Sequence, residues 1–514
     1  MCTRTATRAL LRPLLNKSRR GHHDTTGACF ESVRSLHVAV IGSGPAGFYF
    51  AGPLLRLLPT AHLDLYEKQP VPFGLARFGV APDHPEVKNC IHQFEKLFAD
   101  ERTRERLGFL GNVDVGSDVT VDELREAGGR FAIGTAYDAV VCAYGAEGDQ
   151  KLGVPGEQAR NSLSARRFVG WYNGLPDAQD LEINVDVEHA VVVGHGNVAL
   201  DVARILLSPI DRLAATDTTE LALATLRKSR VRMVTLVGRR GPLQVAFTIK
   251  ELRELIQLAR SRVALSDFPA GFTDEHIKKL PRSRRRLVEL LWKTANSSND
   301  SKSTSSSSSS RSELEWALKF FRSPVQVLTD DRNAVAGLQV RANRLENEHI
   351  IETDLSDAVN ARVRASDATE TLHCQLLFTS IGYRSVAMPG LPYDQRRNVI
   401  PTLDDGVSVR DTPGVYACGW CARGATGVIA TTQAESARAA TLVADHLKII
   451  KPSSAAKHGQ KVVKATLAER NVRWLDWPAW LAVDACERRL GAEHGKPREK
   501  LTRMQQILSV VEKR

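Results

Sequence analysis

The residues with the clearest chemical potential in this 514-residue chain are the glycines of two short turns. The first turn, Gly42-Ser-Gly-Pro-Ala-Gly47, follows the apolar run Leu36–Ile41 and leads into an apolar stretch that extends to about Leu58. In a GxGxxG pattern the first glycine permits a tight turn, the second lets a pyrophosphate approach the backbone, and the third lets a helix pack closely on a strand. We therefore predict a dinucleotide site whose phosphates face a helix N-terminus, with contacts from Gly42, Gly44 and Gly47.

An acidic residue stands where a ribose-binding carboxylate is expected. Glu67 follows Gly47 by 20 residues and ends the strand-like run Leu63-Asp-Leu-Tyr-Glu67. A carboxylate in that position can accept hydrogen bonds from a ribose diol. The first turn is therefore typical of an FAD site.

In the second unit, a pair of basic residues stands where the first unit has an acid. Gly194-His-Gly-Asn-Val-Ala199 is a GxGxxA turn between the apolar run Ala190–Val193 and a helix-like stretch. The next strand-like run, Met233–Val237, is followed by Arg239 and Arg240 instead of ending in an acid. Because planar guanidiniums make bidentate, charge-assisted bonds to phosphate, they favour the 2′-phosphate of NADP over the diol of NAD. A chain that holds FAD and NADP together is normally built for hydride transfer between nicotinamide and flavin.

Both turns belong to strand–turn–helix units, which predicts an α/β fold with two doubly wound, Rossmann-like domains. Residues 296–312 include the serine run Ser305–Ser310 and cannot bury apolar surface, so we expect them to form a disordered insertion. No apolar run approaches the roughly 18 residues that a membrane-spanning helix needs, and we predict no transmembrane segment.

The formal charge of +11 is divided between a leader and the body of the chain. Residues 1–35 hold seven basic and two acidic residues, which accounts for +5 and leaves +6 for the rest. The first 23 residues are basic without an acid and carry interleaved leucines and small hydroxylated residues, as in an organellar transit peptide. No nucleic-acid-recognition motif is visible, so the basic body favours an acidic protein as partner.

The eight cysteines are scattered and do not form a secreted disulfide framework. Cys418-Gly-Trp-Cys421 has the spacing of a redox pair, but no second pair or histidine set accompanies it, and we predict no metal site. A disulfide reductase that uses Cys418 and Cys421 is the alternative enzyme. A non-catalytic NADP-binding protein is the alternative from another class, although the first glycine turn, Glu67 and Trp420 all argue against it.

Longer segments carry a specific family resemblance. Residues 71–89, 168–176, 196–207, 237–253 and 495–501 are similar to signature segments of the adrenodoxin reductases, the mitochondrial ferredoxin–NADP reductase family of glutathione-reductase-like flavoproteins. The resemblance extends from Leu36 to the C-terminus except for the serine-rich insertion. It implies a mitochondrial enzyme that takes hydride from NADPH onto FAD and delivers single electrons to an acidic [2Fe–2S] ferredoxin.

The resemblance also implies which positions contact each cofactor. The FAD contacts would include Ala46, Glu67, Leu75, Val115, Trp420, Gly427, Val428 and Ile429. The NADP contacts would be Gly194, His195, Gly196, Asn197, Val198, Arg239, Arg240, Glu251 and again Gly427. His195 replaces the glutamine that is common in the family, which can alter the affinity for the cofactor.

A discontinuous FAD domain follows from the same resemblance. We assign residues 1–35 to the leader, 36–145 to the first part of the FAD domain, 146–374 to an inserted NADP domain, and 375–514 to the second part of the FAD domain with a C-terminal tail. The pattern of Gly414–Trp420 agrees, since it is that of a strand running into a glycine-rich turn. A helix from about Ala430 would then direct its N-terminus at the flavin.

Hydride transfer needs no nucleophile, only close stacking of nicotinamide on flavin where water is excluded. Because the family motifs carry both residues, His84 and Asp201 are our candidates for a polar relay near the flavin. The densest basic cluster of the body is the expected ferredoxin docking site, with Arg282, Arg284, Arg285 and Arg286. We expect a monomer in the mitochondrial matrix, or one bound peripherally to the inner membrane.

Overall fold

The structure is a computed structural model that describes residues 35–125, 136–300, 314–347, 360–449 and 457–513. All of the predicted leader except Ser35 lies outside these ranges. Within them, no helix is both long and apolar enough to cross a membrane.

The strands are numbered in chain order. They are β1 His37–Ile41, β2 His62–Glu67, β3 Leu107–Gly111, β4 Ala139–Cys142, β5 Gly148–Asp149, β6 Ser162–Ser164, β7 His189–Val193, β8 Met233–Val237, β9 Arg260–Val263, β10 Glu315–Lys319, β11 Arg322–Thr329, β12 Val335–Leu345, β13 Val363–His373, β14 Leu376–Thr379, β15 Tyr383–Arg384 and β16 Val415–Ala417.

The helices are numbered in the same way. They are α1 Pro45–Leu57, α2 Gly74–Phe78, α3 Cys90–Ala99, α4 Val121–Arg125, α5 Ala165–Tyr172, α6 Asn197–Leu207, α7 Ile210–Ala214, α8 Glu220–Leu226, α9 Ile249–Leu258, α10 Asp274–Lys279, α11 Arg282–Asp300, α12 Trp420–Arg423, α13 Ile429–Ile449, α14 Gln460–Glu469, α15 Trp477–Glu493 and α16 Met504–Glu512.

The first glycine turn follows a strand of a parallel sheet whose order is β16–β4–β1–β2–β3. Strands β1 and β4 are apolar and buried almost throughout, as expected of a parallel sheet that is covered on both faces. β16 pairs with β4 although most of the chain lies between them. A strand from near the C-terminal end therefore completes the sheet that the first turn begins.

The second glycine turn follows a strand of another parallel sheet, of order β6–β14–β7–β8–β10–β9. All of its strands come from residues between β4 and β16. The antiparallel sheet β11–β12–β13 contacts β14, and the short antiparallel pair β5–β15 lies where the chain passes from one parallel sheet to the other and back. The predicted fold class, an α/β fold with one nucleotide-binding unit inserted into another, is confirmed.

Helix α11 extends to Asp300, five residues into the segment predicted to be a disordered insertion. Polar side chains near its end bond to carbonyls one turn earlier: Asn296 Nδ2 donates to Trp292 O and Ser297 Oγ to Lys293 O, both over 3.0 Å. Such bonds let serine and asparagine remain helical where their composition alone favours a loop. The prediction is therefore wrong for residues 296–300, and residues 301–312 lie outside the described ranges.

Charged side chains of the C-terminal segment contact distant parts of the chain. Lys500 Nζ lies 2.9 Å from Asp217 Oδ2, and the same carboxylate accepts two 2.7 Å hydrogen bonds from Lys88 Nζ. Arg77 Nη2 donates to Glu487 Oε1 over 2.6 Å. These buried pairs tie the C-terminal segment to the segment between β2 and β3 and to the connection between α7 and α8.

Candidate functional site

The first glycine turn has the geometry that close approach of a helix requires. Gly42 has φ +106°, and a Cβ at Gly47 would lie 2.1 Å from the Gly42 carbonyl oxygen. Only glycine therefore lets α1 begin this close to the end of β1. Gly44 has open space by comparison, since the nearest atom to an added Cβ is the Gly74 Cα at 4.0 Å. The tight turn and the close helix packing predicted for Gly42 and Gly47 are thus present, while the pyrophosphate contact at Gly44 stays a prediction.

Glu67 lies beside the first turn. Its carboxylate Oε2 accepts hydrogen bonds from Ser43 N at 3.0 Å and Ser43 Oγ at 2.8 Å, while Oε1 accepts one from Gln69 N at 3.1 Å. Burial raises the pKa of Glu67 to about 6, so the group is still mostly ionised at neutral pH. A carboxylate oxygen can accept more than one hydrogen bond, so this group can also accept hydrogen bonds from ribose hydroxyls.

The remaining residues predicted to contact FAD approach the same turn from three directions. Phe73 N donates to Ser43 O over 2.9 Å, which brings α2 and Leu75 to the turn. Val113 N donates to Glu67 O over 2.9 Å, which places the segment containing Val115 at its edge. A Cβ at Gly419 would lie 2.7 Å from the Ala46 Cβ, so the residue before Trp420 packs directly on α1.

Trp420 also holds the loop that leads into α13. Its indole Nε1 donates to Thr426 O over 3.0 Å, and Arg423 Nη1 donates to the same carbonyl over 2.6 Å. The loop then presents Gly427 and Val428 to solvent, and Val428 is 52% exposed although it is apolar. An exposed apolar side chain before a helix N-terminus suits a flat, partly apolar ring system with a polar edge.

The second turn is closed by the loop that follows the arginine pair. Ala246 N donates to His195 O over 3.0 Å, and Thr248 N donates to Asn197 Oδ1 over 2.7 Å. The half-buried His195 ring packs edge-on against Phe320, with Nε2 3.1 Å from Leu236 O, and desolvation lowers its pKa to about 4. His195 is therefore neutral at physiological pH, and its predicted contact with NADP stays a prediction. An added Cβ at Gly196 would meet nothing within 4 Å, so the turn is open on the side where a pyrophosphate would approach.

Arg239 and Arg240 are exposed next to this turn. Partial desolvation by the surrounding protein, and then the charges of Arg239 and Arg284, lower the pKa of Arg240, whose side chain still reaches solvent. Three guanidiniums that repel one another in this way are stabilised when a phosphate lies among them. The arrangement fits the 2′-phosphate of NADP.

The relay candidates His84 and Asp201 belong to one buried cluster but do not bond directly to each other. His84 Nε2 lies 2.6 Å from Glu254 Oε2 and 3.8 Å from Glu251 Oε2. Asp201 Oδ1 accepts a 2.7 Å hydrogen bond from Arg204 Nη2. Burial raises the pKa of Asp201, and burial together with the Asp201 carboxylate raises that of Glu251. The pKa of Glu251 is raised to about 7, so this carboxyl group can exchange a proton near neutral pH.

Three members of this cluster were missed by sequence reasoning: Asp83, Arg204 and Glu254. The signal was present in part, because Arg204 and Glu254 each lie three residues after a predicted site residue on a helix, and such positions share a face. Asp83 directly precedes His84. What the sequence did not indicate is that these helices and the His84 segment meet.

The cysteine pair does not have the properties of a redox centre. Cys418 and Cys421 are both buried free thiols. Cys421 Sγ donates to the Cys142 and Cys418 carbonyls, each over 3.2 Å, and burial raises its pKa to about 12. A redox-active thiol needs an accessible thiolate, which this environment disfavours. The geometry therefore argues against the disulfide reductase alternative.

An α/β fold that places a carboxylate at one glycine turn and guanidiniums at the other defines a class, the flavoprotein oxidoreductases that use a pyridine nucleotide. Residues 36–260 match the family described as pyridine nucleotide-disulphide oxidoreductase. The chain is 46% identical over 492 residues to "NADPH:adrenodoxin oxidoreductase, mitochondrial" of Homo sapiens, which covers 95% of this chain and 94% of the human protein. The protein of the same name from Arabidopsis thaliana is 39% identical over 492 residues, and the alignment covers 93% of this chain and 96% of the Arabidopsis protein. The chain belongs to the NADPH:adrenodoxin oxidoreductase family, and it is an oxidoreductase.

A solved structure agrees with the sequence relatives. "Mycobacterium tuberculosis FprA in complex with NADPH" is similar to this chain with a TM-score of 0.81 and 34% identity, over 93% of this chain and all of the other. The resemblance stated from the sequence segments is thereby confirmed.

Proposed function

We propose that this protein takes hydride from NADPH and passes electrons singly to an acidic, adrenodoxin-like [2Fe–2S] ferredoxin. The observation that carries the proposal is the unequal pair of dinucleotide turns, with Glu67 hydrogen-bonded at the first and Arg239 and Arg240 exposed at the second. The names of the relatives supply the direction of electron flow and the type of acceptor.

The residues present fit both cofactors. FAD would be held by the Gly42–Gly47 turn, by Glu67 at its ribose, and by Trp420 and the Gly427–Ile429 segment near its ring. NADP would be held by the Gly194–Val198 turn, with its 2′-phosphate at Arg239 and Arg240. Bound FAD supplies the conversion between a two-electron hydride and electrons that leave one at a time.

The protein's own contribution is alignment, exclusion of water and control of protons. The loop from Gly424 to Gly427 is fixed by Trp420 and Arg423, so the residue proposed to face the nicotinamide, Gly427, has a defined position. His84, Asp201 and Glu251 belong to the buried cluster that we propose as the proton relay. Glu254 holds the His84 imidazole over 2.6 Å and thereby fixes its orientation.

We propose that the ferredoxin docks on the first turns of α11. Arg282, Arg285 and Arg286 are exposed there, and Arg282 and Arg286 share a face because they are four residues apart. Arg286 also lines a hollow with Arg253 and Lys293. Arg284 differs from the prediction, since its Nη1 donates to Val245 O over 2.5 Å and the side chain is half-buried. The docking proposal therefore keeps three of the four predicted arginines.

The finer predictions on organisation and location are part of the proposal. We propose the domain division at residue 145, which is supported by the passage of the chain out of the first sheet before β5. The boundary predicted at residue 374 falls before β14, which pairs with β6 and β7 of the second sheet, so we propose that the second FAD segment begins after Thr379. We propose that the protein is a monomer and that it lies in the mitochondrial matrix. The mitochondrial names of the relatives support a mitochondrial location.

Anaerobic stopped-flow with the FAD-loaded protein tests this function. NADPH should reduce the flavin much faster than NADH, and cytochrome c reduction should require an added [2Fe–2S] ferredoxin and weaken as salt rises. The double variant R282Q/R286Q should raise the KM for ferredoxin by about tenfold and leave flavin reduction by NADPH unchanged, since charges at an interface rim act mainly on association. The variant R102Q/R104Q removes the same charge from another exposed site and serves as the control.

Each result has a distinct meaning. Flavin reduction without ferredoxin-dependent turnover would contradict the proposed acceptor. Equal KM values for R282Q/R286Q and the control would contradict the docking site alone.

A further inference from the structure

Arg204 is the most completely enclosed charge near the relay residues. It lies on α6 one turn after Asp201, and its side chain is 1% exposed. Its Nε donates to Asp83 Oδ2 over 2.6 Å and its Nη2 to Asp83 Oδ1 over 3.0 Å. Nη2 also donates to Asp201 Oδ1 over 2.7 Å, while Nη1 donates to Glu251 Oε2 over 3.0 Å.

This contact pattern uses the shape of the guanidinium as well as its charge. Arginine has five N–H donors in a planar fork, and here they are divided among three carboxylates on three segments of the chain. Nη1 also lies 3.6 Å from Glu254 Oε2, the carboxylate that bonds His84. A lysine ammonium in the same place is a single point and cannot reach all of these groups at once.

The three segments belong to both nucleotide-binding units. Asp83 and His84 lie on the segment between β2 and β3, which belongs to the first sheet, whereas α6 and α9 flank the second. Other residues of the His84 segment make ion pairs across the same boundary: Glu86 pairs with Lys250 on α9, and Lys88 with Asp217. Among these ion pairs, the one between Arg204 and Asp83 is the most deeply buried, and Arg204 also contacts relay residues.

We propose that Arg204 is a positioning residue for hydride transfer, which holds the segment carrying His84 in register with Asp201 and Glu251. Arg204 itself does not contact the reacting atoms in this proposal, which rests on the proposed function. Its guanidinium fixes the distance between the two nucleotide-binding units where the relay crosses from one to the other.

Replacement of Arg204 by a neutral residue should also change the pKa values of the neighbouring carboxyl groups. Arg204 favours the ionised forms of Asp201 and Glu251, whose pKa values burial already raises. Without it both carboxyls should titrate at higher pH, because an opposite charge within hydrogen-bond distance is lost. The titratable and charged groups that face this cluster from the neighbouring elements are Asp83, His84 and Glu86, Asp201 on α6, Lys250, Glu251 and Glu254 on α9, Tyr172 on α5 and Tyr383 on β15.

The test uses the FAD-loaded variants R204K, R204M and D83N, with R489M as control, since Arg489 is exposed and pairs only with its own helix at Glu493 and Cys486 among the described contacts. Flavin reduction by NADPH is followed from pH 6 to 9, and hydrogen–deuterium exchange is measured over residues 80–88. We expect reduction to slow by about a hundredfold in R204M and less in R204K, the size of effect that a displacement of about 1 Å can cause. The pH profile of R204M should move upward by about one pH unit or more.

The double variant R204M/D83N separates positioning from a general loss of stability. If Arg204 acts by holding Asp83, D83N should slow reduction in the wild type but add little in the R204M background, because the two changes remove the same interaction. Exchange over residues 80–88 should rise in R204M and D83N and stay unchanged in R489M.

Independent effects of the two substitutions, or a slower reaction with an unmoved pH profile and unchanged exchange, would overturn the proposal. If R204M does not fold, D83N and R204K carry the same exchange measurement. A wild-type protein that NADPH does not reduce would contradict the proposed function, whereas the exchange result would still decide whether Arg204 holds the segment.

Discussion

The buried carboxylate of Asp217 gives the sharpest quantitative prediction. Asp217→Asn keeps the shape of the side chain but removes the negative charge between Lys88 and Lys500, whose side chains are 13% and 1% exposed. Removal of one partner from a buried ion pair costs about 3–5 kcal/mol of unfolding free energy, because the remaining charge is left without compensation. The cost should depend on pH, since burial lowers the pKa of Lys500 to about 7 in the native protein.

The sign follows from the protonation of Lys500. Because burial leaves the native pKa of Lys500 below that of a free lysine, protonation of Lys500 by itself favours unfolding as pH falls toward 7. Its attraction to Asp217, however, acts only while Lys500 is charged and is lost as pH rises above about 7. D217N should therefore cost an amount nearer the upper end of that range at pH 6 than at pH 8.5, where Lys500 is mostly neutral and has no attraction to lose.

Urea unfolding followed by tryptophan fluorescence at the two pH values measures this difference. D186N is the matched control, because Asp186 pairs with Arg230 on an exposed surface, where such pairs contribute about 0–1 kcal/mol. The double variant D217N/K500M should recover part of the lost stability. A cost for D217N that equals the control, or that does not change between the two pH values, would refute the reasoning.

Three further outcomes are expected. R239Q/R240Q should lower the preference for NADPH over NADH by about tenfold to a hundredfold in kcat/KM ratios, because hydrogen bonds to a charged group contribute roughly 1.5–3 kcal/mol, and unchanged selectivity would contradict the 2′-phosphate assignment. G47A should prevent retention of FAD, since its Cβ would lie 2.1 Å from a carbonyl oxygen, whereas G196A should fold normally and raise only the KM for NADPH; absorbance spectra and initial rates distinguish the two. C421S should keep ferredoxin reduction within about twofold of the wild type, because a thiol whose pKa is near 12 is not ionised at neutral pH, and a collapse of activity with an intact fold would revive the disulfide mechanism.

The glycine turns show why part of the site was predictable. The helix after each turn begins within a few residues of where the pattern places it, at Pro45 and at Asn197, because the glycines and the apolar runs beside them are adjacent in the chain. Glu67 is the last residue of its strand, and Arg239 and Arg240 come shortly after theirs. Their positions at the turns therefore also follow from short stretches of sequence. The helical continuation to Asp300 shows the opposite limit, since composition alone favours a loop there.

The sequence by itself determined the class of this protein, its two dinucleotide turns and the choice of NADP, because each depends on short segments whose residues act together in strand–turn–helix units. Only the tertiary structure decided which charges meet. Arg204 bonds Asp83 across 121 positions and Arg77 bonds Glu487 across 410, and no local pattern encodes such distances. The same holds for Arg284, which shares its run with three exposed arginines but bonds inward to Val245. A charged side chain is stable when buried only beside its partner, so the packing of distant segments decides whether it binds, positions a neighbour or faces solvent.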